Sequence, residues 1–420
     1  MKNILIGLII LLFSSCCSFA QETVGVVDKP LALPDCYALA LKQSEIIAID
    51  AEKIKEAEGH FLQAFGTLLP HVTFSSKIYS ADPATSTNRG SISKFTVKQL
   101  LFQGFKEFAA MKGGSSEKDQ RKKETIRAQQ LLFTDVSDAF YLLMEVREDL
   151  KSLHTIERAL KDRLKELDER EKLGRSRKSE VVNTQAQLFG VVADIEFIKA
   201  SEILVRQLLE FLVGRPVSAI VDNEPVPAFM RPESEYLSKA AVRPDVVAAK
   251  KAWEVAQSGV IVARSGFFPT VTLESNYYAK RTIAPTNTEW DTLLSIDVPI
   301  FQGTETFGVV KSAVSVAHQA ELLSSRVLRL AVQDIRDSYV RFESVLLIYQ
   351  ALKKAMSAAE MNYALQKEDY KFNLVNNIDV LDAIQKWQTS KRNYIHSLYE
   401  AKRSYWELRV ACGETLNVTF

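Results

Sequence analysis

Two segments of the chain alternate apolar and polar residues, as a β-strand with one apolar and one polar face does. The first begins after Pro70 and the second after Pro269, and each is followed by a polar loop and another alternating segment. The apolar positions nearest the two prolines are Val72, Phe74 and Ile78, and Val271, Leu273 and Tyr277. The pattern predicts two β-hairpins, residues 70–103 and 269–302, with strands of about ten to twelve residues.

Helical patterns fill most of the remaining chain. A helix is predicted over residues 35–68, and after Phe105 no proline interrupts a much longer pattern up to Lys172. Its apolar residues recur at spacings of three and four: Leu143, Val146, Leu150, Leu153, Leu160, Leu164 and Leu167. A sustained period near 3.5 predicts coiled-coil packing and not a globular core. Each long helix is predicted to break at a short tip, residues 173–179 or 372–378, and to reverse into a second helix.

The two halves of the chain repeat one another at a fixed offset of 199 residues. The sequence Pro-His-Val-Thr at residues 70–73 aligns with Pro-Thr-Val-Thr at 269–272, and Phe-Gln-Gly occurs at both 102–104 and 301–303. One constant offset predicts that each half builds the same substructure. The predicted division is a first repeat over residues 21–214, a proline-rich linker over 215–234, a second repeat over 235–413 and a tail over 414–420.

The first twenty residues have the features of an export signal. Lys2 precedes an apolar run that is too short to span a bilayer, and Ser18-Phe19-Ala20 resembles a small-x-Ala cleavage site. Residues 1–20 are therefore predicted to be a signal peptide. Cys16 follows Phe13-Ser14-Ser15, which resembles a degenerate lipobox, so acylation at Cys16 is the alternative to cleavage after Ala20.

Two cysteines, Cys36 and Cys412, remain after cleavage at Ala20. In an exported protein they could pair in a disulfide. Each lies in a helical pattern beside apolar neighbours, which favours buried free thiols.

Composition excludes several classes of protein. Hydrophobic residues make up 47% and charged residues 25%, which excludes a disordered chain and a bundle of membrane helices. The net charge of +1 gives no overall attraction to nucleic acid. The five histidines are scattered without metal-ligand spacing, and there is no phosphate loop or nucleophile elbow. We therefore expect a protein that is not an enzyme and that has no cofactor, catalytic residue or metal site.

The hairpin strands have the length of tilted membrane-spanning strands, which need ~9–11 residues. A soluble hairpin packed on helices is the alternative, but the same hairpin recurs in each half and the adjoining helices are too long to fold over it. Four strands leave two open edges, which lipid does not accommodate. Two copies would give an eight-stranded barrel filled by side chains, and three would give a twelve-stranded barrel wide enough for a water-filled path.

The repeated order of helix, hairpin, long helix, tip and helix resembles the TolC-type outer membrane efflux proteins over nearly the whole mature chain. The most specific segment, residues 370–383, ends in Asp-Val-Leu-Asp-Ala and is similar to the family's second tip. Phe-Gln-Gly at both strand ends resembles the family's Phe-Asp-Gly. The resemblance implies a homotrimer with a twelve-stranded barrel in outer membrane lipid and a long periplasmic coiled-coil α-barrel. It also implies a periplasmic adaptor and an inner-membrane RND or ABC transporter as partners.

The resemblance implies roles for single residues as well. Asp379 and Asp382 match positions that form acidic rings at the family's closed periplasmic entrance. Tyr370, Ser179 and Glu180 match positions that hold the inner and outer helix pairs together there. Four residues at the tips match the adaptor-docking region: Gly174, Arg175, Asn373 and Leu374.

Two residues depart from the best-known family member. Val375 stands where that member has an arginine in the lock between helix pairs, and Asn373 stands where it has glycine. Other interpretations remain for the two aspartates, because Asp379 follows a tip and suits a helix cap. Asp382 could lie on a solvated helix face.

Together these patterns predict a passive exit duct at the cell outer membrane, in a tripartite efflux pump or a type I secretion system. The cargo stays open between drug, metal and protein, since the pump selects it. The rival interpretation is an exported coiled-coil scaffold or adaptor without a membrane barrel.

Overall fold

The computed structural model describes residues 30–80, 89–227, 229–283 and 285–416. Cys16 and the predicted signal peptide lie outside these residues. The helices are α1 (Leu33–Gln43), α2 (Glu45–Gly66), α3 (Lys106–Lys172), α4 (Lys178–Val213), α5 (Glu233–Leu237), α6 (Pro244–Arg264), α7 (Glu305–Lys371) and α8 (Asn377–Ala411). The strands are β1 (His71–Ser80), β2 (Arg89–Gln103), β3 (Thr270–Arg281) and β4 (Trp290–Asp297). The predicted fold class, mainly helical with four strands in each chain, is confirmed.

One predicted helix, residues 35–68, is in fact two helices. Ser44 adopts an extended backbone and separates α1 from α2. Its side chain accepts a hydrogen bond from the backbone N–H of Ile47 at 3.4 Å, so Ser44 is the N-cap of α2. Serine is a favoured N-cap because its hydroxyl satisfies an otherwise free N–H.

The four strands form one antiparallel sheet in the order β1-β2-β3-β4. The central pair joins the two hairpins, with Phe95 of β2 opposite Tyr277 of β3. β4 ends at Asp297, earlier than the predicted hairpin end, and Pro299 follows two residues later. Because proline has no N–H for a strand ladder, it suits a strand end. The outer edges of β1 and β4 have no strand partner in the described residues.

The two faces of the sheet differ in polarity. On one face Asn276 accepts hydrogen bonds from Lys94 and Thr96, both at 2.7 Å, and donates to Asp291 at 2.8 Å. On the other face the rings of Phe74 and Phe95 lie 4.9 Å apart and remain solvent-exposed in the single chain. The sheet therefore has a hydrogen-bonded polar face and an uncovered apolar face.

The internal repeat is reproduced by the backbone. α3 and α7 each contain 67 residues, and their first and last residues correspond at the offset seen in the sequence. Three pairs of residues with left-handed backbone recur at equivalent positions: Gly104 and Gly303, Gly174 and Asn373, and Gly214 and Gly413. At ~1.5 Å per residue, each long helix extends about 100 Å from the sheet to the tips.

The helices form a layer whose order changes along its length. Near the sheet the order is α2, α3, α6, α7, and toward the tips it is α4, α3, α8, α7. In the tip half, the apolar seam of α3, including Leu153, Leu160 and Leu167, belongs to one buried cluster with Val380 and Leu381 of α8. The chain therefore has α2 and α4 along one edge and α7 along the other. None of the helices in the described ranges is long and apolar enough to cross a membrane.

Both described cysteines are buried and free, as predicted. Burial raises the pKa of the Cys36 thiol to about 12 and that of the Cys412 thiol to about 11, because a thiolate is poorly solvated inside the helix layer.

We expect neither thiol to react with a disulfide-forming reagent at pH 8 in the native protein, and both to react after denaturation. Peptide mass mapping would locate the label. Since the folded pKa values lie above the unfolded value of ~8.5, the thiols stabilise the fold below that pH. This stabilisation should decrease as the pH rises toward 11–12. Rapid labelling of Cys36 in the native protein would contradict its burial.

Candidate functional site

Both tips are closed by the same backbone turn. At the first tip the N–H of Arg175 donates to the carbonyl of Arg170 at 2.8 Å, and that of Gly174 donates to Glu171 at 2.8 Å. At the second tip the N–H of Leu374 donates to Asp369 at 3.0 Å, and that of Asn373 to Tyr370 at 3.1 Å. This is the Schellman arrangement, which requires a left-handed residue. Asparagine tolerates that conformation better than most side chains, so Asn373 can stand where the first repeat has glycine.

Asp379 lies in the first turn of α8 and forms a capping box. Its carboxylate accepts a hydrogen bond from the N–H of Asn376 at 3.0 Å, and the Asn376 side chain accepts one from the N–H of Asp379 at 3.1 Å. Asp379 is therefore a helix cap whose charge is also half-exposed. Such a box ties the end of the tip to the start of α8.

Asp382 lies about one turn further along α8, with its side chain 57% exposed. Its carboxylate forms an ion pair with Lys386 at 2.7 Å. The two aspartates are three residues apart and so lie on one side of the helix. Lys386 offsets part of the negative charge that Asp382 contributes.

Tyr370 is buried near the end of α7, and two arginines of α3 lie against it. The Arg163 guanidinium is 3.4 Å from the centre of the Tyr370 ring, and the Arg170 guanidinium is 4.5 Å away. Both distances are in the range of cation–π attraction. The Nη1 of Arg170 also donates to the side chain of Asn373 at 3.4 Å. Two residues of α3 thus hold the end of α7 and its tip.

Arg163 is the centre of a polar group that joins four helices. Its Nε donates to the Asn377 side chain at 2.9 Å, and its Nη1 donates to Glu166 at 2.9 Å. Asn377 in turn donates to Thr184 of α4 at 3.4 Å. Arg163 is only 5% exposed and Asn377 only 1%. We call Arg163, Tyr370, Asn377 and Thr184 the Arg163 cluster.

The residues expected to form the lock are not all brought together. Glu180 accepts a hydrogen bond from Ser176 at 2.6 Å, and Ser179 is exposed in the first turn of α4. In the part of the chain that the structure describes, neither of them hydrogen-bonds to Tyr370. Val375 is half-buried and packs on the apolar cluster of the tip half. Within one chain, the Arg163 cluster links the helix pairs next to the tips.

One feature of the sequence indicates this cluster, namely a charged residue at an apolar position of the α3 pattern. Arg163 continues the spacing of three and four that runs through Leu153, Ile156, Leu160 and Leu167, so it occupies a seam position. A charged residue in a coiled-coil seam costs stability unless it is paired, and it therefore indicates a specific buried partner. Asn377, the first residue of α8, is that partner.

The docking residues predicted at the tips are surface residues. Gly174, Arg175, Asn373 and Leu374 are exposed, and a Cβ added at Gly174 would meet no other atom within 4 Å. The described ranges contain no group of three or more His, Cys, Asp or Glu side chains arranged to hold a metal ion.

Comparison with known proteins shows what this architecture is similar to. Residues 238–414 match the family model described as outer membrane efflux protein. Outer membrane protein TolC of Vibrio cholerae serotype O1 is 24% identical over 314 residues, which are 71% of this chain and 72% of that protein. The outer membrane protein VceC from Vibrio cholerae has a TM-score of 0.79 at 20% identity, over 91% of this chain and 96% of VceC.

CusC, whose structures describe transmembrane channel formation, has a TM-score of 0.81 at 14% identity, over 91% of this chain and 92% of CusC. The fold thus matches across both repeats, and the family model covers most of the second. An outer membrane location with a helical periplasmic extension, predicted from the sequence, is confirmed. The resemblance seen in the sequence is likewise confirmed: residues 238–414 match the outer membrane efflux protein family, and the fold is that of VceC and CusC.

Proposed function

We propose that three copies of this chain form a passive exit duct, with a twelve-stranded barrel in the outer membrane and a helical tube in the periplasm. The observation that carries the proposal is that every layer of the chain is open along the same two edges. β1, α2 and α4 lie along one edge, and β4 and α7 lie along the other. One rotation that brings these edges together closes the sheet and both halves of the helix layer at once.

The exposed side of α4 is apolar along its whole length. Its large exposed residues, spaced by seven or eight, are Val182, Phe189, Phe197, Leu204 and Phe211. They lie opposite the face that α4 buries against α3, where Leu188, Val191 and Ile195 are buried. A helix that is apolar on two sides needs a second partner. Among the described residues, the order of the helices leaves that place empty.

α7 carries the complementary stripes. Near the sheet its exposed apolar residues are Val309, Val316, Leu323 and Leu330, and toward the tips they are Val340, Leu347, Met361 and Leu365. Most are seven residues apart, the spacing of a coiled-coil seam. α4 of one copy and the tip half of α7 of the next therefore supply matching surfaces.

The junction between sheet and helices carries a belt of exposed apolar side chains. They include Phe105, Phe108, Ile300, Phe301 and Phe307, and Ile300 and Phe301 are 89% and 88% exposed. Aromatic side chains favour the interface between lipid and water. The belt supports a membrane boundary at this level, with the apolar face of the sheet in lipid and its polar face toward the lumen.

A passive duct of this kind needs an energy source from other proteins. We propose that the tips dock a periplasmic adaptor, which links the duct to an inner-membrane RND or ABC transporter. Efflux and type I secretion both fit this arrangement.

We expect Phe189→Glu combined with Phe197→Glu to prevent stable trimer formation, because six carboxylates would be buried along the proposed seams. Mass photometry or native mass spectrometry in detergent should give three chains per particle for the parent and monomers for the variant. Asn183→Glu with Lys199→Gln makes the same change in charge at exposed polar positions of α4 outside the apolar stripe and should leave the trimer intact. A monodisperse parent monomer with intact strands would contradict the proposal.

A further inference from the structure

The two tips, alike in backbone, differ sharply in charge. Between residues 172 and 178 the first tip carries Lys172, Arg175, Arg177 and Lys178, and it carries no acidic residue. The equivalent part of the second tip, residues 371–377, carries a single charge, that of Lys371. The whole chain has a net charge of only +1, so the first tip concentrates positive charge that the rest of the chain balances.

These four basic side chains are exposed and have no ion pair in the described part of the chain. In the second repeat, Lys371 stands at the position of Lys172 and pairs with Glu368 at 2.7 Å. Several other basic residues of the long helices also pair with an acid three or four residues away, as Lys151 does with Glu148. The first tip lacks such partners.

Two of the four basic residues lie where positive charge opposes helix stability. Arg177 is the N-cap of α4 and makes no side-chain capping bond, and Lys178 is the first residue of the helix. Positive side chains are unfavourable there, because the helix N-terminus is itself positive. The equivalent start of α8 has Asn376 and Asp379 in a capping box. The start of α4 has an acidic residue in its first turn, Glu180, but no capping bond, and such local exceptions are typical of functional surfaces.

We propose that the first tip recognises an acidic segment of the periplasmic partner, whose carboxylates pair with Arg175, Arg177 and Lys178. This inference rests on the proposed docking function and adds the chemistry of the partner. Leu173 on the same tip, and Phe372 and Leu374 on the other, supply exposed apolar contacts beside the charges. The Schellman turn fixes the basic side chains at the end of two helices, which suits a partner with carboxylates at defined positions.

The test uses the full-length trimer in nanodiscs and a designed probe. The probe is a synthetic antiparallel two-helix hairpin whose turn carries four glutamates, with glutamine and lysine versions for comparison. We expect the glutamate probe to bind the parent at least tenfold more tightly than the glutamine probe, and about tenfold more weakly at 300 mM than at 50 mM salt. The lysine probe should not bind.

Arg175→Glu with Arg177→Glu should abolish binding of the glutamate probe and create binding of the lysine probe. The matched control, Arg158→Glu with Lys165→Glu, makes the same charge change at exposed positions of α3 above the tip and should bind like the parent. The exchange of probe preference distinguishes charge recognition from damage to the tip.

Equal binding of all three probes, or of none, would overturn the inference. It would also be overturned if vesicles containing phosphatidylglycerol bound the parent as tightly as the glutamate probe, since the surface would then serve a membrane. A trimer that conducts ions but ignores the glutamate probe refutes only this inference. A chain that forms neither trimer nor channel refutes the proposed function itself.

Discussion

Replacing Asp379 and Asp382 by asparagine should remove most of the cation preference of the channel in planar bilayers. In the proposed trimer the two residues would form stacked rings of carboxylates, and rings of acid select for cations. We expect the cation-to-anion permeability ratio to fall to near one. We also expect block by multivalent cations, added on the periplasmic side, to weaken by about tenfold or more.

Asparagine is the informative replacement at Asp379 because this residue is also a helix cap. An asparagine oxygen can accept the hydrogen bond from the N–H of Asn376 as the carboxylate does, so the cap is kept while the charge is lost. Alanine would lose both, at a cost of about 1 kcal/mol per chain.

Lys386 provides a control with the opposite sign. Because it pairs with Asp382, Lys386→Gln leaves the acidic ring uncompensated and should increase the cation preference. If the double asparagine variant selects and is blocked like the parent, the aspartates act only as a cap and a surface ion pair. The charge at the entrance would then lie elsewhere.

Replacing Arg163 by alanine should loosen the tip end of the chain more than any other single change considered. The substitution removes the ring contact with Tyr370 and leaves the buried side chain of Asn377 without its donor. Removing one partner of a buried ion pair lowers the free energy of unfolding by about 3–5 kcal/mol. We expect a loss of stability at the lower end of this range, because Glu166, the ion-pair partner of Arg163, is partly exposed to solvent. We expect a lower thermal midpoint and a resting conductance several-fold above the parent.

Trp387 offers a local probe of this change. It stacks on Tyr363 with the ring centres 5.1 Å apart, within the same buried cluster as Tyr370. Its fluorescence should therefore change early in the thermal transition of the variant. Arg158→Ala, on the exposed side of α3, is the matched control. A variant at Arg163 with parental conductance and melting would show that the cluster does not hold the helix pairs together.

Much of this architecture could be predicted from the sequence because it depends on periodic features. The constant offset between the halves predicted that the long helix occurs twice, and the alternating apolar and polar residues predicted both hairpins. The break at Ser44 was missed, because a single capping hydroxyl interrupts an otherwise continuous helical pattern. Local hydrogen bonds of this kind leave little trace in a hydrophobic period.

The site was less predictable, because its decisive contacts join residues far apart in the chain. Arg163 and Asn377 are 214 positions apart, and no spacing rule connects them. The ion pair between Asp382 and Lys386, by contrast, lies within one helix at a spacing of four and could have been foreseen. The resemblance to the family indicated Ser179 and Glu180 as the residues that hold the helix pairs together. In this chain Arg163, a basic residue in the apolar seam of α3, contacts the other helix pair near the tips.

The two long helices have a mechanical consequence. In the described residues α3 and α7 run without a break from the sheet to the tips, whereas α2 and α6 serve one half of the layer and α4 and α8 the other. A hydrogen-bonded helix resists stretching, so a pull at either tip is carried as tension along α3 or α7 to the strand that precedes it. Force applied in the periplasm is therefore transmitted to the rim of the barrel along α3 and α7 of each chain. The shorter helices α2, α4, α6 and α8 pack beside these two helices and limit their bending.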